Sequence, residues 1–125
     1  MVKEYYSFMF EKFENIVLDF AQVTQMDNVS LYKCLHTYVV LFDEQLDKNT
    51  WFDRVKKMAD NFGYTSDNKA YKANPSKYLG NLASFCNLIR YAFTGKTNTP
   101  DLFSICEVLG KNELYNRLSR IKKLI

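Results

Sequence analysis

Residues 81–95 read Asn81-Leu82-Ala83-Ser84-Phe85-Cys86-Asn87-Leu88-Ile89-Arg90-Tyr91-Ala92-Phe93-Thr94-Gly95, and this stretch decides the fold class. Leu82, Phe85, Leu88, Ile89, Ala92 and Phe93 recur at three- and four-residue steps, the stripe of an amphipathic helix. Gly95 supplies the stop. Thr99-Pro100 then has the grammar of a helix start, with Thr at the cap and Pro in the first turn. Leu102, Phe103, Ile105, Cys106 and Leu109 face inward along that helix until Gly110. Leu114, Leu118, Ile121 and Ile125 mark a last helix. Arg117, Arg120, Lys122 and Lys123 near its end read as a solvated cluster where cations suit the dipole.

The same period runs upstream. Val2 to Glu14 reads as a helix through Tyr5, Phe8, Met9 and Phe13, while 16–26 fits either a continued helix or an extended connection. Asp27 or Asn28 caps a helix from Val29 to Phe42, with Leu31, Leu35, Tyr38, Val39 and Phe42 on its inner face. Asn49 or Thr50 caps another that runs to Phe62, with Trp51, Phe52, Val55, Met58, Ala59 and Phe62 inward. Residues 64–80 lack periodicity and contain Asn74-Pro75, so they are expected to form one long ordered loop anchored by Tyr64, Tyr71 and Tyr78. Loops of that length in a small domain are often functional. The expectation is an all-α, compact bundle of about six helices forming one domain over 1–125, with a sub-boundary near 64–80 as the alternative.

Composition agrees. Of 125 residues, 47% are hydrophobic and 25% charged, which excludes a disordered chain. Four Gly and two Pro are too few for the turns of a sandwich or barrel. Apolar runs such as Tyr38 to Phe42 fall far short of a membrane span and no signal peptide opens the sequence, so a cytoplasmic protein without a membrane partner is expected. The three cysteines, Cys34, Cys86 and Cys106, form no C-x-x-C pair and read as buried thiols of a reducing compartment. Charge is divided unevenly: residues 1–64 carry seven Lys/Arg against ten Asp/Glu, residues 65–125 ten against four. A basic half beside an acidic one fits a polyanionic partner, although charge alone leaves chance open.

Catalytic constellations are missing. No G-x-x-x-x-G-K, G-x-G-x-x-G or G-x-S-x-G pattern occurs, and no His/Cys/Asp/Glu grouping has metal-ligand spacing. His36, the sole histidine, reads as a packed or half-exposed residue, and Asp43/Glu44 as solvated carboxylates.

From Trp51 onward a series of ordered motifs resembles the C-terminal region of bacterial glutamyl-tRNA synthetases, in particular a clostridial-type subgroup. They are Trp51-Phe52; Phe62-Gly63-Tyr64; Tyr71-Lys72-Ala73-Asn74-Pro75; Tyr78 with Gly80-Asn81; Leu88-Ile89-Arg90-Tyr91-Ala92-Phe93-Thr94-Gly95; Asn98-Thr99-Pro100-Asp101-Leu102; and Val108-Leu109-Gly110-Lys111. The match is good over 51–110, plausible over 111–125 and loose over 1–48. Leu79 stands where many relatives carry lysine. The resemblance implies an all-helical anticodon-binding domain, part of a longer class I ligase. In that family an N-terminal Rossmann domain carries HIGH-like and KMSKS-like motifs and uses ATP and Mg; neither motif occurs here. The implied partners are a tRNA with a glutamate-type anticodon stem-loop and the ligase's own catalytic domain, not DNA.

Unpaired RNA bases are read by splaying them onto aromatic or guanidinium planes and bonding their edges. By resemblance, Arg90 contacts an anticodon base, while Thr99, Pro100 and Leu102 match positions lining pockets for the last two. Lys96 is expected to pair with phosphate, and Lys69, Lys72, Lys77 and Lys111 are further candidates for the RNA backbone. The rings of Tyr71 and Tyr78 are expected to pin their loop to the core. The competing reading is a helical protein–protein interaction module without RNA binding, which an Arg90 buried against Asp53 or Glu107 would favour.

Overall fold

The computed structural model describes residues 18–43, 45–97 and 101–125. The expected helix over Val2–Glu14 and the residues Glu44, Asn98, Thr99 and Pro100 therefore lie outside the described part. Among the described residues there are five α-helices: α1 (Asn28–Leu41), α2 (Lys48–Asn61), α3 (Asn68–Ala73), α4 (Leu82–Thr94) and α5 (Leu102–Leu124). Short 3-10 turns occupy Phe20–Gln22 and Pro75–Lys77. The all-α expectation holds. None of the helices is long and apolar enough to cross a membrane.

Each helix begins on an Asp or Asn whose side chain accepts a backbone N–H of the first turn, satisfying a donor that the helix itself leaves open. Asp27 takes Ser30 N at 2.8 Å, Asp47 takes Thr50 N at 2.7 Å, Asn81 takes Ser84 N at 3.0 Å and Asp101 takes Ser104 N at 3.3 Å. Asp67 caps α3. Two starts differ from the sequence reading. Asp47, not Asn49 or Thr50, caps α2, and Asp101, not Thr99, caps α5. In both cases the carboxylate is a stronger cap than a threonine hydroxyl nearby.

Gly95, at φ 75°, ends α4 as expected. Gly110 also breaks the helical run as expected: its φ of 79° and ψ of 159° are non-helical, so α5 consists of two helical segments that meet at a kink there. That backbone region is essentially reserved for glycine, because a Cβ would clash there.

The four long helices close a ring in which each packs on two others: α1 on α5 and α2, and α4 on α5 and α2. They share one core that includes Leu31, Leu35, Val55, Leu88, Ile89 and Ile121. Within it the Tyr38 hydroxyl accepts from Trp51 Nε1 at 3.2 Å and lies 3.0 Å from Cys106 Sγ, joining α1, α2 and α5 by a buried polar chain. Phe52, Phe62, Leu82 and Leu109 were expected inside; Phe62, Leu82 and Leu109 are half-buried, and Phe52 is 37% exposed. Phe52 follows Trp51 directly, so it sits about a quarter-turn around α2 from the ring that fills the core.

Residues 64–80 are more ordered than an aperiodic loop. They contain α3 and a 3-10 turn, and their ends are stitched by Leu79 N to Gly63 O at 2.7 Å and Thr65 N to Gly80 O at 3.1 Å. Tyr64 anchors them: it is buried, edge-on to Phe85 at 5.2 Å, with its hydroxyl 2.9 Å from that of Thr24. Tyr71 and Tyr78 instead are half-buried against each other, 6.5 Å between centroids.

The C-terminal basic cluster also departs from expectation at one position. Arg117 is buried at 2% exposure, not solvated. Its Nη1 donates to Phe93 O at 2.7 Å and its Nε to Glu113 Oε2 at 2.8 Å. The last turn of a helix leaves carbonyls without partners, and a buried guanidinium satisfies one of them.

Candidate nucleic-acid interface

The start of α2, the middle of α4 and the start of α5 converge on one open cleft of about 320 Å³. Arg90 and Cys86 enter from α4, Lys48, Trp51 and Phe52 from α2, and Asp101 and Leu102 from α5. Arg90 and Leu102, twelve residues apart in sequence, thus face the same space. Thr99 and Pro100 lie outside the described residues.

Arg90 is half-buried. Its Nη1 donates to Asn87 Oδ1 at 2.6 Å, one helical turn back, which aims the guanidinium along the helix. Its Nε is buried and has no hydrogen-bond partner. A buried donor left open is costly, so it marks where a ligand or water acceptor belongs. Among the described residues no acidic side chain is paired with Arg90, neither Asp53 nor Glu107.

Across the mouth, Lys48 Nζ lies 3.1 Å from Asp101 Oδ1. Both side chains are well exposed, so this pair contributes at most about 1 kcal/mol to stability. Burial pushes the Asp101 carboxyl upward, but the hydrogen bond from Lys48, those from Ser104 and the lysine charge outweigh it and hold it below the usual aspartate value. The Cys86 thiol is raised, chiefly by burial, with Asp101 adding to the effect and Arg90 opposing it. The Phe52 ring is stacked beside Trp51, 6.3 Å between centroids and 22° apart, with Lys56 Nζ 4.7 Å from its centre. The cleft therefore combines a cation with open donors, a carboxylate and an accessible ring, the parts that unpaired bases require.

The lysines singled out from sequence are dispersed. Lys96 lines a second cleft of about 380 Å³ with Gln22, Val23, Tyr91, Gly95 and Thr97, around the end of α4. Lys69, Lys72 and Lys77 are exposed on the 64–80 segment, Lys77 lying 5.7 Å from the Tyr78 ring centre. Lys111 Nζ donates to Val40 O at 3.1 Å, at the end of α1. Sequence reasoning missed Lys48, Phe52 and Asp101. The signal for Asp101 was present in its place after Thr99-Pro100; nothing local distinguishes Lys48 from other surface lysines.

Residues 79–122 match the family described as "Anticodon binding domain", a span that holds Arg90, Asp101, the whole of α4 and all but the last two residues of α5. The chain is also similar to proteins named glutamate–tRNA ligase. It is 29% identical to that of Acetivibrio thermocellus over 118 residues, covering 94% of this chain and 21% of the relative. It is 33% identical to one from Clostridium perfringens over 92 residues, covering 74% and 17%. Similarity reaches Sorangium cellulosum, at 34% over 79 residues, covering 63% and 14%. This chain carries an anticodon-binding domain of the glutamate–tRNA ligase type. It spans about a fifth of the length of the first of these curated relatives. No solved structure matches it. In the anticodon-binding domain the α4 and α5 walls of the cleft lie within the matched span, and the α2 wall is contributed from outside it.

Proposed function

We propose that this domain binds the anticodon loop of a glutamate tRNA within a glutamate–tRNA ligase, and that the Arg90 cleft receives an unpaired anticodon base. The observation that carries the reading is the convergence of Arg90, with an unpartnered buried Nε, and the start of α5 on one cleft beside the exposed Phe52 ring. In this reading the guanidinium donates to base-edge acceptors or lies on the base plane. Leu102 closes the apolar side; Thr99 and Pro100, just before it in sequence, match family positions that line such pockets. Lys96, Lys69, Lys72, Lys77 and Lys111 contribute to the positive surface met by the phosphates.

Amino-acid activation belongs to the catalytic domain of such a ligase, which would use ATP and Mg. In this reading the domain's part is to bind and orient the tRNA. Titration of the chain with an anticodon stem-loop transcript tests the proposal. Arg90→Ala should weaken binding by about 1–3 kcal/mol, the range for bidentate or stacked base contacts. A folded Arg90→Ala protein that binds as tightly as the parent overturns the role of Arg90.

A further inference from the structure

The Lys48–Asp101 pair borders the cleft, and its chemistry has a consequence for which base can enter. A carboxylate offers about four lone-pair positions. On Asp101, Lys48 Nζ occupies one at 3.1 Å, and the Ser104 N–H and hydroxyl occupy two at 3.3 and 3.2 Å. One is left, on a side chain 42% exposed that lines the same cleft as Arg90. Arg90 is the complement: five N–H donors and no acceptor, of which Asn87 takes one. The cleft thus holds an acceptor on the α5 wall and donors on the α4 wall, with the Phe52 ring beside them.

A base that satisfies both walls must offer an amine to the carboxylate and ring acceptors to the guanidinium. Cytosine does: its N4 amine donates, and its N3 and O2 accept. Uracil has the same shape and the opposite edge. It would set O4 against the carboxylate and N3–H against the guanidinium, leaving like groups facing each other, which is how sites reject an isostere.

We propose that Asp101 is a specificity-determining residue that selects cytosine over uracil in the Arg90 cleft. This rests on the anticodon reading, in which the third anticodon base of a glutamate tRNA is the cytosine complementary to the G that begins glutamate codons. Lys48 holds Asp101 in place, with the remaining lone pair left as an acceptor.

Stem-loop transcripts carrying C or U at the third anticodon position, titrated against the parent chain and Asp101→Asn, test it. Asparagine caps a helix as well as aspartate does, so α5 keeps its start, while its amide turns to donate as readily as it accepts. The parent should prefer the C loop by about tenfold or more, and Asp101→Asn should reduce that preference to about threefold or less. Lys48→Met, which frees Asp101 from its partner, should weaken both loops and lower the preference for C, and an unchanged preference would overturn the positioning role of Lys48. Binding without base preference, or a preference indifferent to Asp101→Asn, overturns this inference alone. Failure of the parent to bind either loop overturns the anticodon reading and this inference with it.

Discussion

Arg117 Nη1 donates to the Phe93 carbonyl oxygen at 2.7 Å from a fully buried position, tying the last turn of α4 to the second half of α5. Arg90 lies one turn earlier on α4, so this bond fixes the end of the helix that presents the cleft's guanidinium. Glu113 completes the arrangement by accepting from Nε at 2.8 Å. Arg117→Met keeps much of the side-chain volume but strands a buried carbonyl, and should cost about 1–3 kcal/mol. Thermal melts should show it as a fall of roughly 4 °C per kcal/mol. Glu113 is 38% exposed, so Glu113→Gln should cost less than about 1 kcal/mol. Equal losses in the two variants would mean that the ion pair, not the carbonyl bond, does the tying.

The helix caps make stability depend on acid. The side-chain and backbone groups of Ser30 hold the Asp27 carboxyl below its usual 3.8, and those of Thr50 do the same for Asp47. Asp101 is shifted in the same direction. A lowered folded value means that the unfolded chain binds protons more readily. The stabilisation is therefore fully present above about pH 4 and is lost as pH falls through the folded values. Melting temperature should be flat from pH 7 to 5 and drop toward pH 3. Asp27→Asn with Asp47→Asn keeps both caps without a titrating group, so the melt difference between pH 5 and pH 3 should shrink. An unchanged drop would assign the acid sensitivity elsewhere.

Much of this fold was legible because periodicity reports burial directly. Leu31, Leu35, Tyr38, Val39 and Phe42 were read from spacing alone and are all buried. What spacing cannot report is how polar groups are used. Arg117 sits in a run of cations that looks solvated, yet it takes a carbonyl 24 residues away, and Lys111 does likewise with Val40 across 71 residues. The cleft divides the same way. Arg90 and Leu102 were found through sequence motifs, whereas Lys48 and Phe52 belong to it only because α2 packs on α4. Gly110 is legible as a break for the same reason as Gly95: both take positive φ where a helical run stops.

Burial sets the reactivity of the thiols. It raises Cys34 and Cys106 to about 12, which leaves about one thiolate in ten thousand at pH 8. Cys86 is also raised, but it is only partly buried, borders the cleft and has Arg90 nearby to favour its thiolate. Titration of the native chain with an aromatic disulfide reagent should release one equivalent from Cys86, and three after denaturation. A stem-loop that occupies the cleft should slow the native reaction. Rapid release of two or three equivalents without denaturant would contradict the packing of α1 against α5.

Lys96 and Arg90 should respond to salt differently, because they line separate clefts. Lys96 follows Gly95 at the end of α4 and is exposed, so a phosphate contact there acts through counterion release. Removing one such contact should lower the slope of log K against log salt by about 0.7 for single-stranded RNA, with a modest loss of affinity shared by all loop sequences. Arg90→Ala should instead lose affinity selectively for the cognate anticodon, because a base contact carries sequence information and a phosphate contact does not. Binding isotherms for cognate and scrambled stem-loops at several salt concentrations separate the two. If Lys96→Ala discriminates among anticodons and Arg90→Ala does not, the second cleft, formed by Tyr91, Gln22 and Val23, is where the base is read.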